Sequence, residues 1–297
     1  MQIHTTIASL RQAIASGSGT LGLVPTMGAL HEGHLSLVRA ARSQCGRVVA
    51  SLFVNPTQFG PNEDFSRYPR TFERDCQLFE QAGVDLLFAP QPEEMYPHGP
   101  ADPNRTFVEV PGISERLDGH FRPGHLRAVA SVVAKLFHIV SPDFAYFGQK
   151  DAAQVATIRA MVRDLNFPLH VMVCPTVRDP DGLALSSRNR YLTTEQRTQA
   201  LALSRALALI STAVSEGIHE VPTLVANLTS AIRSSPGLRF EYAEIVDPDT
   251  LEPIANLKRG ALVAVAAYLG NTRLIDNMVL PPMQPIAVQT TAQEVSA

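Results

Sequence analysis

The sequence predicts an α/β protein: a doubly wound parallel sheet over residues 1–180, followed by a smaller C-terminal α+β domain over residues 181–282. Three observations lead there. Short apolar runs bounded by turn residues recur at 21–25, 48–54, 84–90, 144–147 and 169–174, and they are continuous rather than alternating. Strands covered on both faces by helices read that way, whereas strands with one wet face alternate. Helix-like stretches separate the runs, and strands joined by helical crossovers pair in parallel. Near Arg178 the character changes to a polar loop, then helices, then two alternating runs.

Each element has a local reason. Between the first two runs, residues 34–43 place Leu35 and Val38 apart from Arg39 and Arg42, which makes an amphipathic helix. Residues 126–140, LRAVASVVAKLFHIV, form a strongly apolar helix to be wedged against the sheet, and Pro142 stops it. Residues 151–164 are a further helix, opened by an acidic residue that suits the N-terminal dipole. The stretch RDPDGLALSSRNRYLTTEQ carries Asp-Pro and Asp-Gly turn dipeptides, and Thr193 with Gln196 forms a capping box for the helices that run to about Arg233. Residues 239–246 and 261–269 alternate and read as antiparallel strands. The last residues, 283–297, have little to bury and read as a disordered tail.

Composition narrows the function classes. Hydrophobic residues are 45% and charged residues 18%, ordinary for a soluble enzyme, and the net charge of −3 advertises neither nucleic acid nor an anionic membrane as a partner. No run of eighteen apolar residues and no signal-like N-terminus is present. Cys45, Cys76 and Cys174 are odd in number, far apart and in no CxxC pair, which suits inert thiols in a reducing cytoplasm.

Four polar clusters follow the apolar runs, where an open α/β sheet binds ligands. In the first, PTMGALHEGH, Gly28 and Gly33 permit close backbone approach at a helix start, and His31 and His34 can donate to phosphate oxygens, more strongly if protonated. A zinc protease would need H-E-x-x-H, whereas these histidines are three apart. In the second, FVNPTQF, Gln58 suits a hydroxyl or carboxylate of a small polar substrate, and Asn55 suits either that role or local turn bonding. In the third, FGQKD, Gly148 gives room, Lys150 is a point charge for phosphate, Asp151 is a candidate Mg²⁺ ligand, and Gln154 lies one helical turn on. In the fourth, LALSSRN, Ser186, Ser187 and Arg188 offer donors with no neighbouring acid in sequence, as a lid gripping a triphosphate would. No G-x-S-x-G elbow, Walker lysine loop or G-x-G-x-x-G is present.

Taken together, PTMGALHEGH, FVNPTQF, FGQKD and LSSRN, with RYPRT, RPGH and LIDN, resemble the pantothenate synthetase family from roughly residue 1 to 280. The resemblance implies ATP- and Mg²⁺-dependent condensation of pantoate with β-alanine, releasing AMP and pyrophosphate. It also implies a Rossmann-like fold of the nucleotidylyltransferase type, a C-terminal lid domain and a cytoplasmic homodimer. By matching position it assigns ATP binding to Met27, Gly28, Ala29, Leu30, His31, Glu32, Gly33 and His34. Gly148, Gln149, Lys150, Asp151, Val177, Leu185, Ser186, Ser187 and Arg188 complete that assignment. His34 is the family's proton donor; His31, Lys150 and Arg188 share the catalytic charge, and Gln58 and Gln154 contact pantoate, with Gln58 also close to β-alanine. Some positions depart from the family's common pattern: Gln149, Leu185, Ala128, Ala152 and Ala153. Two further readings use a similar phosphate loop. One is a transferase that leaves its nucleotide on the product; the other is a relative of aminoacyl-tRNA synthetases, against which the net charge speaks.

Overall fold

The computed structural model describes residues 1–61 and 63–282; the expected tail at 283–297 lies outside them. Six strands form one parallel sheet: β1 (Gln2–His4), β2 (Leu21–Thr26), β3 (Arg47–Leu52), β4 (Leu86–Phe88), β5 (Phe144–Gly148) and β6 (His170–Cys174). Their spatial order is β1-β4-β3-β2-β5-β6. The central strand β2 is buried along almost all its length, as its unbroken apolar run requires. Five of the six coincide with the expected runs. β1 was not expected, because three residues that are mostly exposed at a sheet edge carry no apolar run.

Helices cover both faces. One face holds α1 (Ile7–Ala15), the core helix α7 (His125–Val140) and α8 (Ala152–Asp164), which pack Leu10, Val133, Phe137 and Ile158 against Leu23, Val49 and Phe147. The other face holds α2 (Glu32–Gln44) and α3 (Phe72–Ala82), with Val38 and Phe79 over Val24, Val48 and Leu87. Three one-turn helices, α4 (Pro92–Met95), α5 (Pro111–Ser114) and α6 (Asp118–Phe121), fill the long crossover before α7. Phe137 is 2% exposed, and truncating such an aromatic costs about 3–5 kcal/mol.

After the sheet come α9 (Thr194–Ser215) and α10 (Val221–Arg233), then an antiparallel sheet of β7 (Leu238–Val246), β8 (Ala261–Leu269) and β9 (Thr272–Leu280). The capping box forms as expected: Gln196 N donates to Thr193 Oγ1 at 3.2 Å and Thr193 N to Gln196 Oε1 at 3.0 Å. Two expectations need correction. Among the described residues there are three strands rather than two, and β8 is covered on both faces rather than alternately wet. Its Val263, Val265 and Ala267 meet the helices α9 and α10, while Leu262, Ala264 and Ala266 meet Ala152, Ala153 and Ala156 of α8. The small residues at 152 and 153 thus let the second sheet lie close against the first unit. β9 escaped notice because Arg273, Asp276 and Asn277 interrupt its apolar pattern.

Candidate active site

The strand order reverses between β2 and β5, so their carboxyl ends open a crevice. The loop leaving β2 turns through Gly28 at φ 82° and Ala29 at φ 51°. A side chain at Gly28 would start 3.0 Å from Asp75 Oδ2, which is why glycine stands there. Ala29 in a left-handed conformation is strained, and Asp75 of α3 compensates. Its buried carboxylate accepts from Ala29 N and Leu30 N, both at 2.9 Å, and from Thr71 Oγ1 at 3.1 Å.

That turn delivers His31 to the N-cap of α2. Gly33 N donates to His31 Nδ1 at 3.1 Å and His31 N donates to His34 Nδ1 at 3.4 Å, a reciprocal capping box made by two imidazoles. With each Nδ1 accepting, each ring must carry its proton on Nε2. The rings lie 4.1 Å apart, and a Cβ on Gly33 would start 2.9 Å from His31 ring atoms. Burial, followed by the nearby Lys150 charge, lowers His31 to about 4. Burial and the neighbouring His31 lower His34 to about 3. Both are therefore neutral near pH 7 and donate through Nε2–H, without the added strength that protonation would give.

Beyond β3, Asn55 caps the turn Pro56–Gln58. Its Oδ1 accepts from Thr57 N, Thr57 Oγ1 and Tyr96 OH, and its Nδ2 donates to Gln58 Oε1 at 3.2 Å. Asn55 is 1% exposed, and its amide holds the Gln58 side chain in place. Gln58 Nε2 rests 2.8 Å from Met27 Sδ, and its carbonyl accepts from His125 Nδ1 at 2.9 Å.

The loop after β5 is tied to the second sheet. Asn277 of β9 donates to the carbonyls of Gln149 at 3.0 Å and Lys150 at 2.8 Å, and accepts from Gln149 Nε2 at 3.1 Å. Lys150 Nζ sits 3.3 Å from Asp151 Oδ1. The lid loop is fastened by Arg178 to the buried Asp276, at 2.6 and 2.9 Å, and by Leu185 N to Val177 O at 3.0 Å. Ser187 Oγ reaches Ala29 O at 3.4 Å. Arg188 is not free of acids, as its sequence neighbours suggested. Its Nε and Nη2 donate to Asp64 at 3.0 and 2.8 Å, across 124 residues of chain. Burial alone would raise Asp64, but the Arg188 bonds and charge outweigh it and hold the carboxyl below its usual range. Nη1 of Arg188 makes no bond to Asp64, so one edge of the fork remains available.

These groups enclose a cavity of about 220 Å³. Met27, His31, Gly33 and His34 line it from the first cluster, Asn55 and Gln58 from the second. Gly148, Lys150, Asp151 and Gln154 line it from the third, and Val177, Leu185, Ser186, Ser187 and Arg188 from the lid. Its floor is Val129, Val132, Val133 and Leu136 of α7.

The family model described as pantoate-beta-alanine ligase matches residues 2–279. The pantothenate synthetase of Acidobacterium capsulatum is 60% identical over 89% of this chain and 87% of that protein. The chain belongs to the pantoate–β-alanine ligase family. The Koribacter versatilis pantothenate synthetase is 56% identical over 94% of this chain and 96% of its own. Among solved structures, the pantothenate synthetase of Thermus thermophilus is 48% identical with a TM-score of 0.89, covering 95% of this chain and 100% of that one. The pantoate-beta-alanine ligase of Francisella tularensis, complexed with beta-gamma ATP and beta-alanine, is 33% identical with a TM-score of 0.72, covering 94% and 97%.

Within this ligase, five residues of the expected ATP set stand back from the cavity. Gly28, Ala29 and Leu30 shape the turn behind it, and Glu32 faces solvent, paired with Arg39. Gln149 braces Asn277 instead. Other residues were overlooked. His125 and Tyr68 line the cavity and lie in the RPGH and RYPRT strings, to which the spacing assigned no chemistry. Burial, then Arg122, lowers His125 to about 4, so it too is neutral. Asp64 and Asp75 gave no sequence signal, because a carboxylate that works through distant contacts looks like any surface acid. Among the described residues no group of three His, Cys, Asp or Glu gathers as a metal cluster. Asp151 as a lone carboxylate fits Mg²⁺ held mainly by phosphate oxygens and water.

Proposed function

We propose that this ligase binds ATP at the crevice between β2 and β5, with pantoate deeper against Gln58 and Gln154, and proceeds through a pantoyl adenylate. The observation that carries the reading is convergence. Two neutral Nε2–H donors, the Lys150 ammonium, two lid hydroxyls and Arg188 line one cavity together with the oriented amide of Gln58 and the amide of Gln154. Its aliphatic floor suits the dimethyl carbon of pantoate.

The pantoate carboxylate attacks the α-phosphorus in line and pyrophosphate leaves, its charge met by His31, His34, Lys150 and Arg188. The β-alanine amine then attacks the mixed anhydride carbonyl, loses a proton, and expels AMP. No covalent enzyme intermediate is needed; positioning of this kind is worth up to about 7–11 kcal/mol. Asp151 would hold Mg²⁺, which supplies charge neutralisation on the phosphates when bound. We further read the chain as two domains divided near residue 180, working as a cytoplasmic homodimer, which rests on the family likeness. No helix among the described residues is long and apolar enough to cross a membrane.

Incubating the enzyme with ATP and pantoate tests this directly. Pyrophosphate should appear without β-alanine, and AMP only after β-alanine is added. Release of both only with β-alanine would overturn the adenylate, and a nucleotide retained on product would make the enzyme a transferase. His34→Ala should lower pyrophosphate release about 10²–10³-fold with the fold intact; near-normal release would remove His34 from its role.

A further inference from the structure

A second cavity, of about 660 Å³, opens between the loop that follows β3 and the hairpin joining β8 to β9. It is larger than the active cavity and almost without aliphatic lining: among the described residues Leu269 is its single aliphatic one. Five arginines line it. Arg122 is paired with Glu63, Arg188 with Asp64, and Arg273 with Asp118 and Glu241. Arg67 and Arg239 have no carboxylate within ion-pair distance among the described residues. Each instead lies over a tyrosine ring of the same wall, Arg239 at 4.1 Å from the Tyr268 centroid and Arg67 at 6.0 Å from that of Tyr191. A guanidinium set beside an aromatic ring rather than a carboxylate keeps an N–H edge free for an acceptor. Two such edges in a polar cleft, one from each side of the molecule, make a receptor for a compact multivalent anion.

Arg188 lines both cavities, so the cleft begins where the active cavity ends. We propose that this cleft is a second polyphosphate site, fitted to an inorganic pyrophosphate-class anion, which receives the leaving group after it passes Arg188. The proposal rests on the adenylation reading above, since adenylation is what produces that anion. Arg67 and Arg239 are its ligands, one carried by each side of the cleft, so that binding there also draws the second sheet toward the first. The acids on the wall, Glu63 and Asp64, stay engaged with Arg122 and Arg188 and do not oppose the anion.

The test is calorimetric binding of pyrophosphate to the full chain with the active cavity saturated by a non-hydrolysable ATP analogue. Wild type should still bind one equivalent, and the Arg67→Gln, Arg239→Gln double variant should bind about tenfold or more weakly, each lost charge-assisted contact weakening the anion. Its kcat and its KM for ATP should stay within about twofold, because neither arginine touches the active cavity. Complete displacement of pyrophosphate by the analogue, or wild-type affinity in the double variant, would overturn the proposal; so would orthophosphate binding as tightly as pyrophosphate. If the double variant does not melt like wild type, the two single variants take its place under the same criteria. Pyrophosphate release from ATP and pantoate is followed in the same preparations. Its absence would sink the adenylation reading, while the binding result still judges the cleft.

Discussion

The two walls of the active cavity are built differently. On the β2 side the histidine loop is fixed from behind: Asp75 takes both amides of the strained turn, and the two imidazoles cap each other's backbone. Every contact there is short in space and independent of the second sheet. On the lid side, Leu183 anchors the loop in the second core, but residues 186–188 beyond it are held by polar contacts, chiefly Arg188 with Asp64 and Ser187 with a backbone carbonyl. The difference teaches a division of labour. A preformed wall supplies donors at fixed positions, and a polar-fastened wall can bring the open edge of Arg188 to phosphate oxygens, oriented by Asp64, without unfolding.

The strongest challenge to that contrast is Asp75→Ala. It leaves two buried amides unsatisfied at about 1–3 kcal/mol each, so a stability loss of roughly 2–6 kcal/mol is expected by urea unfolding. Asp75→Asn, which keeps one accepting oxygen, should recover about half. If Asp75→Ala unfolds like wild type, the turn is not fixed from behind.

Asp64→Asn probes the other wall and should behave oppositely. Arg188 loses half its fork but sits on a partly exposed lid, so stability should change by about 1 kcal/mol or less. The KM for ATP should instead rise roughly tenfold, since an oriented charge-assisted contact is worth about 1.5–3 kcal/mol. A stability loss as large as that of Asp75→Ala would make the two walls alike.

How much of this was legible in advance divides along the same line. The four interior strands β2 to β5 announced themselves because burial on both faces forces an unbroken apolar run, the edge strand β6 carries a similar run, and the donors His31, His34 and Lys150 follow such runs closely. What escaped was whatever acts across the fold. Asp64 lies 124 residues from Arg188, and Asn277 lies 127 from Lys150. β9 hid because its polar residues face partners rather than water: Asp276 takes Arg178 and Asn277 takes the loop after β5. Sequence spacing carries local geometry well and long-range pairing hardly at all.

The neutral histidines predict how stability responds to pH. His31, His34 and His125 are lowered to about 4, 3 and 4 in the fold from 6.5. Below about pH 6.5 the unfolded chain binds protons that the folded one refuses, so their contribution is full above that value and is lost as pH falls toward 4. Urea unfolding between pH 7.5 and 5 should show this slope, and His34→Gln should reduce it by about one proton, or ~1.4 kcal/mol per pH unit. An unchanged slope would mean the imidazole is charged in the fold.

The smallest expected effect is also the sharpest test of which part of the histidine loop meets nucleotide. Glu32 sits between the two histidines in sequence, yet its carboxylate points to solvent and pairs with Arg39, both side chains 54% exposed. A carboxylate turned toward a triphosphate would repel it, so facing away is the arrangement a phosphate site needs. Exposed pairs of this kind contribute about 0–1 kcal/mol, so Glu32→Gln should leave the melting transition nearly unmoved. Its KM for ATP should stay within about twofold, since the charge lies on the far side of the helix start and is screened by water. A large rise in KM would place Glu32 in the phosphate site, and a large fall would show that its charge was opposing the nucleotide; either would require the first turn of α2 to rotate when ATP binds, and the fixed wall would not be fixed.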